Sequence, residues 1–228
     1  MKKKHIKYIL LTLVVIDLLL LALSFLLPTM SFLNIDMESN LPTIYQGLKL
    51  ILIGSSSLLV LLLLPIVSTK LERFFWLFWS FMFFFLGVDE LTQLHENIQT
   101  YVRELTGQGS IIYEEVFTDL GYSSTPWLLY YMFFFILSTF FIVFAVRKLE
   151  DLDKSSKLFL AIGWVLFLSV LLVEYINTKE GIMFGPSYLI LVSIEELLEM
   201  VGASFLFVFT VSRVTDLLNS LKSKLLDS

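Results

Sequence analysis

The segment FFWLFWSFMFFFLGVDELTQLHE, residues 74–96, changes from an almost wholly apolar run into a run rich in ionisable side chains. Its apolar part belongs to a stretch long enough to cross a bilayer as a helix. Asp89, Glu90, His95 and Glu96 follow directly. Ionisable residues inside membrane segments are costly and usually functional, so this order predicts a polar site within an apolar helix bundle.

The composition of the whole chain agrees with a membrane protein. Of 228 residues, 57% are hydrophobic and 22 are Phe, and the mean hydropathy is +0.84, whereas soluble domains are about 45–50% apolar. The predicted surroundings are therefore a lipid bilayer, with no nucleic acid partner. The chain has no Cys, which excludes disulfides, thiolate metal ligands and thiol nucleophiles.

Six apolar runs have the length of a transmembrane helix. They lie at about 7–28, 43–67, 74–97, 126–147, 157–176 and 187–212. No segment alternates with the period of a barrel strand, so we expect an all-α integral membrane protein with one transmembrane domain over residues 1–228. The outer loop 98–125 is too short for a separate core, and its middle suits either a short surface helix or an acidic loop.

Lys and Arg are unevenly distributed among the connections. They concentrate at the N-terminus, in the second and fourth connections and in the C-terminal tail, at Lys2, Lys3, Lys4, Lys7, Lys70, Arg73, Arg147, Lys148, Lys154, Lys157, Arg213, Lys222 and Lys224. The positive-inside rule therefore places both termini on the cytoplasmic side of the cell membrane. The basic, apolar start also resembles a secretory signal, but it is too long and contains Asp17, which favours a retained first helix.

The acidic residues form two sets at matching depth. In helix three, Asp89 and Glu96 share one helical face, with His95 at its margin and Glu90 about 100° away from Asp89. In helix six, Glu195 and Glu199 are one turn apart, with Glu196 within about 100° of both. With helix three running outward and helix six inward, both sets lie in the outer half of the membrane.

Three further ionisable residues belong to this polar set. Glu174 lies near the outer end of helix five, Lys49 lies in helix two, and Asp17 lies near the middle of helix one. Lys49 and Asp17 are expected to pair across adjacent helices. A charged group at the bilayer centre costs at least about 2.5–3.5 kcal/mol, so the acids must face inward and be neutralised by a cation, by protons or by water.

The ligand set favours a hard divalent cation. Several carboxylates with one imidazole suit Mn²⁺, Fe²⁺, Mg²⁺ or Ca²⁺ better than a structural zinc site. We expect Asp89, His95, Glu195 and Glu199 as metal ligands. Two alternatives to metal binding stay open. His95, Glu96 and Glu174 are then simply exposed at the membrane boundary, and Asp89, Glu195 and Glu199 are protonated acids that pack through hydrogen bonds.

The two motifs DELTQLHE and EELLEMVGA resemble a pattern of small multi-pass bacterial membrane proteins of unassigned function. That pattern is written roughly as D-E-x4-H-E in a middle helix and E-E-x2-E-M-x-G in the last. The resemblance implies that the family shares these polar positions, namely Asp89, Glu90, His95, Glu96, Glu195, Glu196 and Glu199. It implies no reaction.

Three classes of function fit the sequence. In the first, a divalent cation activates water or polarises a lipid or lipid-linked substrate from the outer leaflet, with Glu96 or Glu196 as the catalytic general base. In the second, the same acids carry a cation or protons across the membrane. In the third, the chain is an accessory membrane subunit whose acids pack against a partner. The sequence does not set the oligomeric state.

Overall fold

A computed structural model describes residues 3–27, 29–33, 40–65, 68–94, 126–148, 152–177 and 188–226. These ranges contain six long α-helices and a short 3₁₀ turn at Ser31–Leu33. The helices are α1 Lys3–Leu26, α2 Leu41–Leu63, α3 Lys70–Thr92, α4 Pro126–Lys148, α5 Lys154–Asn177 and α6 Tyr188–Leu226. The same ranges contain no strand, so the predicted all-α class is confirmed.

Four helices within the described ranges are long and apolar enough to cross a membrane. They cover His5–Leu26, Leu41–Leu63, Lys70–Thr92 and Lys154–Asn177. Large apolar side chains also cover the outside of the bundle; Leu62, Phe81 and Phe140 are each more than 70% exposed. A soluble monomer rarely exposes so much contiguous apolar surface, so the outer surface is suited to lipid.

Local capping explains where three of the helices begin. The Asn40 side chain accepts a hydrogen bond from the backbone N–H of Thr43 at 2.8 Å, and Pro42 follows in the first turn of α2. Thr69 caps α3 in the same way through the N–H of Glu72. Asp153 caps α5 through the N–H of Ser156. These side chains satisfy N–H groups that the first helical turn leaves without a partner.

Helix α3 ends earlier than the sequence suggested. It stops at Thr92, because Gln93 adopts a left-handed conformation with φ 52° and ψ 41°, and its N–H bonds the carbonyl of Asp89. Such a residue is a common way to end a helix. Because α3 ends before Glu96, its helical geometry does not place Asp89 and Glu96 on one face. Helix α6, in contrast, continues well past the predicted end at residue 212, to Leu226.

The bundle is built from two tight helix pairs. In the pair α2–α3, a Cβ on Gly87 would lie 2.9 Å from the carbonyl oxygen of Gly47 and 3.0 Å from the backbone nitrogen of Ile51. In the pair α5–α6, a Cβ on Gly163 would lie 2.9 Å from the carbonyl oxygen of Gly202. Small residues let helix backbones approach this closely in membrane proteins. Helices α1 and α2 both pack on α6, and α4 makes lighter contact with α5 and α3.

Aromatic side chains fill the interior between the two pairs. Trp76 and Trp79 of α3 contact Phe209 of α6, with ring centroids 5.4 and 6.0 Å apart. All three residues are fully buried. At one end of this core, Arg213 of α6 donates a 2.8 Å hydrogen bond to Glu72 of α3. The core therefore joins the two tight helix pairs into one bundle.

Several sequence predictions lie outside the described residues. These are the outer loop 98–125, with its surface helix or acidic loop, and the two metal-site residues His95 and Glu96.

Candidate functional site: a buried lysine and an acidic cluster

Lys49 is the centre of a buried polar network inside the bundle. Its ammonium group donates to Asp17 Oδ1 at 2.8 Å, to the carbonyl oxygen of Met200 at 2.7 Å and to Ser204 Oγ at 3.1 Å. It also lies 4.4 Å from the ring centroid of Tyr45, a cation–π distance. Lys49 is 4% exposed and Asp17 is 0% exposed. The predicted pairing of these two residues is confirmed.

Three helices hold this network. Asp17 comes from α1, Lys49 from α2 and Ser204 from α6. Ser204 also donates a 2.7 Å hydrogen bond to Asp17 Oδ2, so both carboxylate oxygens have a donor. A buried ion pair is tolerated only when further hydrogen bonds satisfy the charged groups, and this pair meets that condition. The network therefore fixes α1 against α2 and α6.

A second polar set begins close to the first. Glu199 lies within electrostatic range of Lys49 and of Glu195 on the same helix. The Glu195 carboxyl group lies close to that of Glu174 on α5, and it also lies near Glu196. We name Glu174, Glu195, Glu196 and Glu199 the acidic cluster. Carboxyl groups this close in an apolar interior cannot all be ionised without a countercharge, so a proton or another cation must accompany the cluster.

The register of the helices brings Glu90 to the level of this cluster. Helices α3 and α5 are parallel, with Trp79 against Trp164 and Phe83 against Phe167. Glu90 and Glu174 each lie seven residues, or about two turns, beyond the Phe83–Phe167 contact on the same helical faces. Glu90 therefore points toward α5 and α6.

Asp89 occupies a neighbouring position on α3. It is 5% exposed and shares a face with Phe75 and Met82, at spacings of seven residues. This face is about 100° from that of Glu90. Asp89 and Glu90 therefore lie on different faces of α3, as predicted. Each of these two faces carries buried residues. That Asp89 faces Glu195 or Glu199 stays a prediction.

The predicted metal ligands are only partly described. His95 and Glu96 lie outside the described residues. Within those residues, no group of three or more Asp, Glu or His side chains is placed to hold a metal ion. The structure brings Glu195 and Glu199 together, and helices α3 and α6 are neighbours through the Trp76–Phe209 stack. The metal site itself stays a prediction.

Sequence reasoning missed several polar residues that the fold buries. Ser204 completes the Lys49 network, Arg213 pairs with Glu72, and Gln46 and Asn177 are buried amides. Gln46 precedes Lys49 by three residues, which places the two on adjacent positions of one face. That spacing was the available signal for Gln46. Ser and Arg at helix positions give no such signal, because exposed and buried examples look alike in sequence.

A family model described as a domain of unknown function, DUF8692, matches residues 8–213. The chain belongs to this family. The match includes both motifs that suggested the resemblance and nearly all of the helical bundle. No curated protein and no solved structure matches the chain. The family thus agrees with the predicted resemblance to proteins of unassigned function and assigns no activity.

Proposed function

We propose that this protein is a cell-membrane protein with six transmembrane helices and both termini in the cytoplasm, and that its acidic cluster binds a divalent cation near the outer leaflet. The observation that carries the proposal is the close approach of the Glu174 and Glu195 carboxyl groups, beside Glu196 and Glu199. Acids grouped so closely in an apolar bundle cannot all be ionised without a countercharge. A divalent cation is the countercharge that suits oxygen ligands.

In this proposal the cation replaces the proton that Glu174 and Glu195 share. Glu195 and Glu199 are ligands from α6, Asp89 is a ligand from α3, and His95 supplies the single nitrogen ligand. Held by these residues, such an ion would supply an activated water molecule or would polarise an oxygen atom of the substrate. Glu196 or Glu96 would be the general base that accepts the proton. A substrate that enters from the outer leaflet is a lipid or is linked to a lipid.

The bundle favours a binding site at the end that carries the acidic cluster over a transport pathway through its middle. The described parts of α3 and α6 are continuous helices without Pro, whereas transporters commonly interrupt helices at their binding sites. Trp76, Trp79 and Phe209 fill the interior on the far side of the cluster. This arrangement favours binding of a cation and substrate at the end of the bundle that carries the acidic cluster.

One observation favours proton-coupled transport as a second candidate. The Lys49–Asp17 pair lies next to Glu199, so ionisable groups extend from the acidic cluster toward the middle of α1. Chains of ionisable residues of this kind serve as proton relays in transporters. In that function Asp17 and Lys49 exchange protons with the cluster, and no metal is required.

The experiment that tests the first proposal combines elemental analysis with thermal unfolding of the purified full chain. Mn²⁺, Fe²⁺, Mg²⁺ or Ca²⁺ should raise the melting temperature with concentration, as expected from mass action. Glu195→Gln and Asp89→Asn should abolish the increase. Asp216→Asn, at an exposed acid of the same helix α6, is the matched control and should retain it.

Two results would contradict the metal site. One is the absence of both stoichiometric metal and any thermal response to the four ions. The other is an undiminished response in both Glu195→Gln and Asp89→Asn. Proton uptake by proteoliposomes that is lost in Asp17→Asn would then favour transport.

A further inference from the structure

Helix α6 continues past the ends of the helices that surround it. Ser212 of α6 shares a 3.1 Å hydrogen bond with Ser156 of α5, and Arg213 bonds Glu72 of α3 at 2.8 Å. Helix α5 begins two residues before Ser156, and α3 begins two residues before Glu72. Because both run antiparallel to α6, they start level with about residues 214 and 215 of α6, whereas α6 ends at Leu226.

Helices α1 and α2 reach only a little further along α6. Asp17 of α1 accepts a hydrogen bond from Ser204, and α1 begins 14 residues before Asp17, level with about residue 218 of α6. Lys49 of α2 contacts Met200 and Ser204, and α2 ends 14 residues after Lys49. No other described helix therefore accompanies α6 over its last 12 Å or so. We name this part, residues 218–226, the α6 tail.

The α6 tail carries an exposed apolar stripe. Leu218, Leu221 and Leu225 lie on one helical face, and they are 49%, 42% and 77% exposed. This face continues the one that α2 covers closer to the acidic cluster, because Leu221 follows Met200 by three heptads and Leu218 follows Ser204 by two. Helix α2 ends before it can cover the tail. We name the three leucines the leucine stripe.

Two lysines flank the leucine stripe. At about 100° per residue, Lys222 and Lys224 lie about 70° and about 90° from the centre of the stripe, on opposite sides. The remaining face carries the uncharged residues Asn219, Ser220 and Ser223. Opposite charges across an interface attract and orient the two partners. The tail therefore suits an amphipathic helix whose apolar face is bordered by Asp and Glu.

The length of α6 favours a protein over lipid as the occupant of the stripe. Its 39 residues span about 58 Å, whereas the hydrocarbon core of a bilayer is about 30 Å thick and the whole bilayer about 40–45 Å. The α6 tail lies beyond the ends of the other described helices, so in the proposed six-helix topology it projects out of the bilayer. Its leucines then face water, and an exposed apolar surface of that kind indicates an interaction site.

A second copy of the chain fits the leucine stripe less well than a different protein. Helix α2 lies on the side of α6 toward which the stripe faces, through the contacts of Lys49 with Met200 and Ser204. Two copies in one membrane would therefore have both α2 helices between their tails. With packed helices about 8–10 Å apart, the two α6 axes would be about 24–30 Å apart. Leucine side chains do not meet across that distance.

We propose that the α6 tail is the docking site for an amphipathic helix of a cytoplasmic protein. Apolar side chains of that helix pack on the leucine stripe, in the position that α2 would occupy if it continued. Asp and Glu residues on its flanks pair with Lys222 and Lys224. The cytoplasmic location follows from the proposed topology, and the docking itself does not depend on a bound cation.

The test measures binding of synthetic peptides to the full chain in phosphatidylcholine nanodiscs. The Glu peptide has three heptads with Leu at positions a and d and Glu at e and g, the Lys peptide has Lys in place of Glu, and both carry a fluorophore for anisotropy. The Glu peptide should bind at least about tenfold more tightly, because its flanks are opposite in charge to Lys222 and Lys224. Combining Leu218→Ser with Leu221→Ser should weaken its binding by about tenfold or more.

Two further variants separate recognition from folding. Lys222→Glu combined with Lys224→Glu keeps the leucine stripe and should reverse the preference, so that the Lys peptide binds more tightly. Leu226→Ser is the matched control. It changes a leucine that is 76% exposed and lies about 100° from the centre of the stripe, so it should bind the Glu peptide as the wild type does.

Three results with the peptides would overturn the proposal: no binding of the Glu peptide to the wild type, equal binding of the two peptides, or undiminished binding by the double serine variant. Leu221→Cys tests the other occupants. A polarity-sensitive dye on this cysteine that shifts to the blue in phosphatidylglycerol nanodiscs without peptide would show that lipid covers the stripe. A disulfide between two copies that forms faster at Leu221→Cys than at Leu226→Cys would show a second copy there. Either result refutes a different protein as the occupant.

Discussion

Lys49 Nζ and Asp17 Oδ1 lie 2.8 Å apart although the two residues are separated by 32 positions and neither is exposed to solvent beyond 4%. All three protons of the Lys49 ammonium group have acceptors, in Asp17, Met200 and Ser204. The pair connects α1 with α2 and α6, and it borders the acidic cluster through Glu199. Its first expected role is therefore to hold α1 against α2 and α6.

Removing one member of this pair should destabilise the fold more than removing both. Lys49→Met leaves a buried carboxylate, and Asp17→Leu leaves a buried ammonium group; each should cost about 3–5 kcal/mol. The double variant leaves no uncompensated charge, so its loss should be smaller than the sum of the two single losses. Thermal and denaturant unfolding of the four proteins measures the difference.

Lys70→Met is the matched control, because Lys70 is exposed at the start of α3. It should change stability by less than about 0.5 kcal/mol. Losses that simply add in the double variant would contradict a direct Lys49–Asp17 interaction.

The close packing of α2 on α3 should tolerate no side chain at Gly87. Gly87→Val places a Cβ within 3.0 Å of the Ile51 backbone nitrogen, so the backbones must separate. The expected loss is about 1–3 kcal/mol, typical of overpacking. Val88→Phe adds volume at the next residue, which is 46% exposed, and should be tolerated. Unfolding curves that rank the two variants in the opposite order would contradict this packing.

The sequence predicted the helical class, the long apolar runs and the Lys49–Asp17 pair. Helices follow from long apolar runs because lipid offers no partner to the backbone, and a lone Lys in such a run needs a buried acid. The end of α3 was harder to predict, since Gln93 is not a residue that commonly adopts a left-handed conformation. The left-handed turn there depends on tertiary structure.

The acidic cluster was predicted in outline but not in detail. Helical spacing grouped Glu195 with Glu199, because both belong to one helix. The partner of Glu195 is Glu174, from α5, and this depends on how the Gly163–Gly202 contact sets the register of two helices. Gln46 was not singled out, although its spacing of three residues from Lys49 places both on one face of α2, which the fold buries.

Labelling of single cysteines should test the proposed orientation, since the natural chain has none. Cysteines in place of Ser110 and Thr178 should react with a membrane-impermeant reagent on intact cells, and a cysteine in place of Ser155 should react only after lysis. The reason is the excess of Lys and Arg on the Ser155 side. The reverse pattern would place the acidic cluster at the cytoplasmic leaflet.

Cation binding should release a proton from the acidic cluster. Glu174 and Glu195 lie too close in an apolar interior to be ionised together, so the pair holds a proton when no cation is bound, and a cation bound to Glu195 replaces it. The apparent dissociation constant for Mn²⁺ should therefore rise about tenfold for each unit by which the pH is lowered, for one displaced proton. Thermal shifts at several pH values, or calorimetry in buffers of different ionisation enthalpy, measure this dependence.

Glu174→Gln is the informative variant for this prediction, because its amide donates to Glu195 without a titrating proton. In Glu174→Gln the dependence on pH should weaken, and Mn²⁺ should still bind through the remaining carboxylates. Asp216→Asn, away from the cluster, should keep the full pH dependence. An affinity for Mn²⁺ that does not change with pH in the wild type would show that no proton is displaced, and the carboxyl pair would then lie outside the cation site.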